Sequence, residues 1–171
     1  MKKNPKAERA NADEERDRNA KKNIAYNRKA RHEYEIEDTY DAGLVLVGTE
    51  VKSLRAGRVN LTDAFCRIEK GEAWLFNMHI TPYDQGNRWN VEPRRQRKLL
   101  LHKWQIAELQ AETEQKGLTI VPLSLYFQRG FAKIEVALAR GKKLYDKRES
   151  IAERDQEREA RRQNVRMRDE G

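Results

Sequence analysis

The chain has 171 residues, 36 of them Lys or Arg and 28 Asp or Glu, giving a formal net charge of +8 and a charged share of 37%; this length suits one domain with tails. No run approaches the roughly 18 apolar residues of a membrane-spanning helix, the charged start Met1-Lys2-Lys3-Asn4-Pro5 has no apolar stretch behind it to make a secretory signal, and the lone Cys66 can build neither an intrachain disulfide nor a cysteine zinc site. The default expectation is a soluble cytoplasmic protein with a polyanionic partner.

The excess charge belongs to the ends. Residues 1–31 hold 11 basic and 5 acidic side chains, residues 140–171 hold 11 and 8, and residues 32–139 hold 14 and 15. From 1 to 23 the only apolar residues are Met1 and alanines, too few to offset the entropy of ordering, so this extension is expected to lack structure when free. Residues 32–47 mix Tyr34, Ile36, Tyr40, Leu44 and Leu46 with polar neighbours at alternate places, the period of a half-buried strand, and Gly43 marks a bend or bulge in it. Thr49 is placed to cap a short helix with Val51 and Leu54 on one face, ending at Gly57. Residues 64–69 and 72–77 read as a hairpin about Lys70-Gly71, and Pro82 with Asp84-Gln85-Gly86-Asn87 reads as a loop. The spacing predicts a longer helix over 102–116, with Ile106 and Leu109 on its apolar face, Glu112 paired to Lys116, and Gly117 as its stop. Residues 118–128 and 131–139 alternate as two strands about Arg129-Gly130, with Pro122 at an edge or bulge.

The tail beyond differs in kind. Ser150-Ile-Ala-Glu153 has the spacing of a capping box, and Glu157 faces Arg161 one turn on. Its apolar residues, Ile151, Ala152, Ala160, Val165 and Met167, form no continuous stripe. Such a segment is helix-capable, marginal alone, and orders against a charged partner.

The inventory is mainly β: about six short strands with one short and one longer helix. It is too strand-rich for a bundle and lacks the alternation of a parallel α/β sheet. A small antiparallel OB-like barrel with flanking helices fits it, and the OB-fold is a common nucleic-acid binder. The expected organisation is a disordered extension over 1–23, a barrel over 24–140 and a flexible basic tail over 141–171.

Chemistry is sparse. His32, His79 and His102 lie far apart with no second ligand at helical or strand spacing, so no metal site is expected. Neither a Walker pattern nor GxGxxG occurs, and no serine sits in a nucleophile elbow. Glu35 with Glu37 reads as one solvated face of a strand. Basic clusters are the stronger signal: Asn27-Arg28-Lys29-Ala30-Arg31; Lys52 and Arg55 on one helix face; Pro93-Arg94-Arg95-Gln96-Arg97-Lys98; and Arg140-Gly141-Lys142-Lys143 leading into Tyr145-Asp146-Lys147-Arg148. Such groups neutralise phosphates and release counterions, and Tyr26, Tyr34 and Tyr145 offer stacking faces. An RNA or DNA binder is the expectation, with no cofactor and no catalysis.

Several of these stretches, in order, resemble the small protein B (SmpB) family. They are Asn27-Arg-Lys-Ala-Arg-His-Glu-Tyr34, Gly48-Thr-Glu-Val-Lys-Ser-Leu-Arg55, Pro93-Arg-Arg-Gln-Arg-Lys-Leu-Leu-Leu101, Lys116-Gly-Leu-Thr-Ile-Val-Pro-Leu123 and Ala139-Arg-Gly-Lys-Lys-Leu-Tyr-Asp-Lys-Arg148. The resemblance spans about residues 24–148 and implies an OB-like barrel that is not an enzyme. It implies a partner of transfer-messenger RNA in bacterial trans-translation: a protein that binds the RNA's transfer-RNA-like domain and delivers it to the empty decoding site of a stalled ribosome. The tail would become helical in the vacant messenger channel, and the incomplete peptide would be tagged for proteolysis. The implied partners are that RNA and the small ribosomal subunit with its decoding centre, with one monomer per RNA and no membrane. By position, the resemblance implies RNA-binding roles for Asn27, Asp41 with Ala42-Gly43, Arg55, Leu100 and Lys133, to which the basic cluster itself adds Arg28, Lys29 and Arg31. It implies decoding-site and tail roles for Gly141, Lys142, Lys143, Asp146, Lys147 and Arg148, with Tyr145 in the same stretch. Asp41 stands where some members have Glu, and Tyr145 where many have His, so the side chain at 145 carries no positive charge at neutral pH. The alternative is a general single-stranded RNA binder or ribosome-assembly factor on the same barrel.

Neutralising about 6–8 phosphates gives an expected slope of about −4 to −6 for log affinity against log salt. A binding titration on structured RNA across salt concentrations checks it; a slope near zero refutes it.

Overall fold

The computed structural model describes residues 14–86, 88, 90–142 and 152–163. They form α1 (residues 14–19), β1 (Lys22–Tyr26), α2 (Arg28–Glu33), β2 (Tyr34–Leu44), α3 (Gly48–Arg55), β3 (Val59–Asn60), β4 (Phe65–Glu69), β5 (Glu72–Phe76), β6 (His79–Ile80), β7 (Arg97–Leu100), α4 (Lys103–Lys116), β8 (Thr119–Gln128), β9 (Phe131–Gly141) and α5 (residues 152–163). Six strands close on themselves in the order β8-β4-β5-β7-β2-β9, with β9 returning to β8, and every pairing is antiparallel. Strand β1 adds to β8, and β3 pairs with β6 separately. The small antiparallel barrel expected from strand periodicity is therefore present, and closure leaves few open strand edges.

Local chemistry accounts for its corners. Lys70 and Gly71, then Arg129 and Gly130, all have positive φ, as the two-residue turns that match the twist of antiparallel strands require. Gly117 takes φ 63 just past α4 and ends it. The Glu112–Lys116 pair stands at 2.8 Å, and of the two residues expected on the apolar face of α4, Leu109 is the one fully buried in the core. Strand β8 reads as a near-continuous apolar run because both its faces are covered. Ile120 and Leu125 face the main core, while Val121 and Leu123 meet Ala30 of α2 together with Ala137 and Ala139 of β9.

Several expectations are corrected. The first long strand starts at Tyr34 rather than 32, because Asn27 caps a helix over the preceding cluster: its side chain accepts from the Ala30 amide at 3.1 Å. The irregularity in β2 lies between Ile36 and Asp38, and Gly43 is in regular register with Leu100 and Lys133. A Cβ at Gly43 would stand 3.2 Å from the Leu100 Cβ, so the glycine admits Leu100 against the strand. The other bulge, between Pro122 and Ser124, falls beside the expected proline. Helix α3 is capped by Val47, not Thr49, and the Glu50 carboxylate accepts the Val47 N–H at 3.1 Å. The extension over 1–23 is not structureless throughout: residues 14–19 are helical and β1 begins at Lys22. Its order comes from pairing to the exposed edge of β8, a backbone interaction that composition does not register. Ser150 and Ile151 of the expected capping box lie outside the described residues, and residues 152–163 are helical with every side chain exposed.

The largest departure is the run Pro93-Arg94-Arg95-Gln96-Arg97-Lys98, read above as a phosphate-binding cluster. Arg97 is fully buried. Its guanidinium donates to Glu50 Oε2 at 2.6 Å and to the carbonyls of Met78 at 2.7 Å, Arg95 at 3.1 Å and Pro93 at 2.9 Å. Arg95 donates to Glu50 Oε1, Arg94 to Asn77 Oδ1 at 3.1 Å, and Lys98 to Glu72 at 3.2 Å. The cluster holds the fold together instead. Burial pushes the Glu50 carboxyl up, but the donors Arg95, Val47 N–H and Arg97 outweigh it and hold the group below its ordinary range.

Arg97→Met is expected to destabilise the barrel by about 3–5 kcal/mol in urea unfolding, because it strands a buried carboxylate. The native pKa of Glu50 lies below its unfolded value, so its contribution is complete above the ordinary carboxylate range near ~4.3 and is lost as pH falls through the native value. Glu50→Gln should flatten that acid limb of the stability profile.

Candidate nucleic-acid interface

The β2–β9 ladder runs from Tyr34 opposite Gly141 to Gly43 opposite Lys133, about 30 Å at strand rise. The residues singled out in the sequence gather at its two ends.

At the Gly43 end, alternation sends Ala42, Leu44, Leu99, Leu125 and Ile134 into the core and their neighbours Asp41, Gly43, Leu100 and Lys133 outward, while Tyr126, on the same side of the sheet, is fully buried. Leu100 is 56% exposed, lying over Gly43. Tyr126 donates its hydroxyl to Asp41 Oδ1 at 2.8 Å. Burial first, then that hydrogen bond and the charges of Asp41 and Glu135, push the Tyr126 hydroxyl up, so it remains a neutral donor across the physiological range. Lys21 stands with Nζ 4.6 Å from the Tyr126 ring centroid and 3.6 Å from Asp41 Oδ1. Beside this face is a groove of about 820 Å³, lined among others by Arg55 of α3, Lys22, Phe127 and Arg129. Asp41, Arg55, Leu100 and Lys133, distant in sequence, thus belong to one end of the barrel. Tyr126, Lys21 and Arg129 were missed: a tyrosine in a strand and cations outside the dense clusters carry no signal before the strands are paired.

At the Tyr34 end sit Arg28, Lys29 and Arg31 on α2, all exposed. Asn27 is buried, donating Nδ2 to the Pro122 carbonyl at 3.0 Å while its Oδ1 caps α2; it positions the helix carrying the three cations. Lys29 reaches Asp63 at 3.4 Å. Gly141 ends β9, and the Lys142 amide donates to Glu33 O at 2.8 Å, so the start of the tail is tied to the end of α2. Lys143, Tyr145, Asp146, Lys147 and Arg148 lie outside the described residues. The sequence reading grouped Arg28, Lys29 and Arg31 with Arg55 and Lys133; the helix carrying the first three packs over Val121, Leu123, Ala137 and Ala139, apart from the Gly43–Lys133 pair.

Two features bear on other chemistries. Cys66 is buried, and burial pushes its thiol up, away from the reactive thiolate. Among the described residues no group of three or more His, Cys, Asp or Glu is placed to hold a metal, and no helix is long and apolar enough to cross a membrane.

A closed antiparallel barrel with cations gathered at its ends defines a barrel-type RNA-binding module. The chain belongs to the SmpB protein family, whose model matches residues 24–166. An SsrA-binding protein of Desulforudis audaxviator is 62% identical over 142 residues, covering 83% of this chain and 93% of that protein. An SsrA-binding protein of Carboxydothermus hydrogenoformans is 63% identical over 136 residues, covering 80% and 91%. A solved structure described as "tmRNA-SmpB: a journey to the center of the bacterial ribosome" contains a chain with 58% identity and a TM-score of 0.60, covering 70% of this chain and 85% of that one.

Asn27→Ala is expected to cost about 1–2 kcal/mol of stability through the lost cap and the orphaned Pro122 carbonyl. Leu100→Ala should stay within about 0.5 kcal/mol, because its side chain is mostly in solvent. Thermal unfolding of the two variants side by side checks the contrast.

Proposed function

We propose that this protein binds transfer-messenger RNA and serves trans-translation in the bacterial cytoplasm, without catalysing a reaction itself. It grips the transfer-RNA-like domain with the Asp41, Arg55, Leu100 and Lys133 end of the barrel and presents the other end to the small ribosomal subunit. The observation that carries this reading is the two-ended layout. One end offers an exposed leucine beside a lysine and a groove that Arg55 and Arg129 help to line, which suits shape-selective contact with folded RNA. The other joins three exposed cations on α2 to the root of the tail, which suits rRNA phosphates.

On this reading one monomer accompanies each RNA into the empty decoding site, where Gly141, Lys142, Lys143, Tyr145, Asp146, Lys147 and Arg148 act. The tail enters the vacant messenger channel as a helix. Residues 152–163 being helical with no buried face suits a segment whose partner surrounds it, since a helix polar all round has no core of its own to pack against. Tyr145 meets its surroundings by stacking, without the charge of an imidazolium. Rescue follows: translation resumes on the transfer-messenger RNA and the incomplete peptide is tagged for proteolysis.

The test is peptide tagging on ribosomes stalled without a stop codon, with the full chain against a chain ending at Gly141. Tagging by the full chain alone, with transfer-messenger RNA bound by both, is the expected result. Equal binding of unrelated single-stranded RNAs, with no tagging by either chain, would return the protein to the class of general RNA binders.

A further inference from the structure

The segment ahead of β1 lies before residue 24, where the family match begins, and it does not help build the core. Residues 14–18 of α1 are exposed, and none of α1 enters an apolar cluster. Six residues of helix fall well short of the about 12–15 needed for even marginal stability alone. Even so, the segment is docked on the Gly43 end of the barrel, by polar contacts.

The turn between β8 and β9 offers donors, and the segment meets them with oxygen. Gln128 Nε2 donates to Asn19 O at 2.8 Å, the Arg129 amide to Arg18 O at 3.1 Å, and Arg129 Nε to Asn19 Oδ1. The same segment lines the groove together with Arg55 and Arg129, contributing Glu14, Glu15, Asp17 and Arg18, with Glu14 paired to Arg18 at 3.5 Å. Beyond them, Lys21 covers the ring of Tyr126 and approaches Asp41. Oxygens facing guanidinium and amide donors, and an aromatic face closed off, are what a bound nucleic-acid strand would present there.

We propose that residues 14–21 are a built-in stand-in for RNA, an autoinhibitory strap held on the Gly43 end of the barrel and displaced when RNA binds. The inference rests on the reading of that end as the RNA face. The strap is suited to exchange: all its side-chain contacts are polar and near solvent, so it belongs to the low-stability part of the structure, and its donors and acceptors return to water when it leaves. A folded RNA that satisfies Arg55, Lys133 and Leu100 together outcompetes it, whereas an RNA meeting one or two of these groups does not.

A disulfide lock tests this. Arg18 and Arg129 are joined by a backbone hydrogen bond, which brings the two residues together for cross-linking, and buried Cys66 does not compete. In Arg18→Cys/Arg129→Cys, the oxidised chain is expected to bind the transfer-RNA-like domain of transfer-messenger RNA at least tenfold more weakly than the reduced chain, with reductant restoring affinity. Comparing redox states of one variant cancels the loss of both arginines. Equal or tighter binding by the oxidised chain overturns the proposal. The unsubstituted full chain supplies a second reading: the contact between Lys21 and the Tyr126 ring, followed by NMR, should vanish on adding the same RNA, and its persistence in the complex overturns the proposal as well. Absence of RNA binding by the unsubstituted chain would remove the RNA reading of this end, and the strap with it.

Discussion

A buried ion pair between α3 and the first residue of β7 organises this barrel. Arg97 and Glu50 are both sequestered from water, where a lone charge is prohibitively costly and a pair is tolerated only with every remaining donor engaged. Three backbone carbonyls and Arg95 complete the arrangement. It ties a helix, a long connection and the approach to β6 at one point. In doing so it sets the start of β7, and through β7 the seat of Leu100 beside Gly43.

From that point the outer face assembles by register. Gly43 pairs with Leu100 on one side and Lys133 on the other, and its missing side chain lets the leucine lie against the strand. Tyr126 reaches Asp41 across the β8–β9–β2 surface. A one-residue slip in any of these ladders would turn the same residues into the core. The bulges in β2 and β8 are the places where alternation changes, and they leave β8 and β9 buried on both faces beneath α2. A chain with an almost neutral middle thus carries an exposed face around Leu100 and Lys133 and a separate cationic helix at the root of its tail.

Charge alone is a poor guide to which cations are available. The densest basic run is the one most consumed by the fold, whereas sparse residues such as Lys133, Arg55 and Arg129 line the open surface. The difference is partnering: a guanidinium already donating to a carboxylate and three carbonyls has little left for phosphate. The N-terminal segment extends the same theme, since its oxygens meet the donors of the β8–β9 turn much as a nucleic-acid strand would.

The elements whose signals are local were legible along the chain. The two Gly-containing hairpin turns, the 14-residue helix with its Gly stop, the alternating strands and the mainly β class all follow from backbone preference and periodicity over a few residues. The motifs near 27–34, 48–55, 93–101, 116–123 and 139–148 likewise carried the family. What depends on residues far apart came only with the folded arrangement: that Arg97 is buried against Glu50, that Asn27 is a cap bonded to Pro122, that Gly43 makes room for Leu100, and that residues 14–26 are ordered along β8 and its turn. Each rests on a partner 47 to more than 100 positions away, and charge or hydropathy read along the chain is blind to which partner arrives.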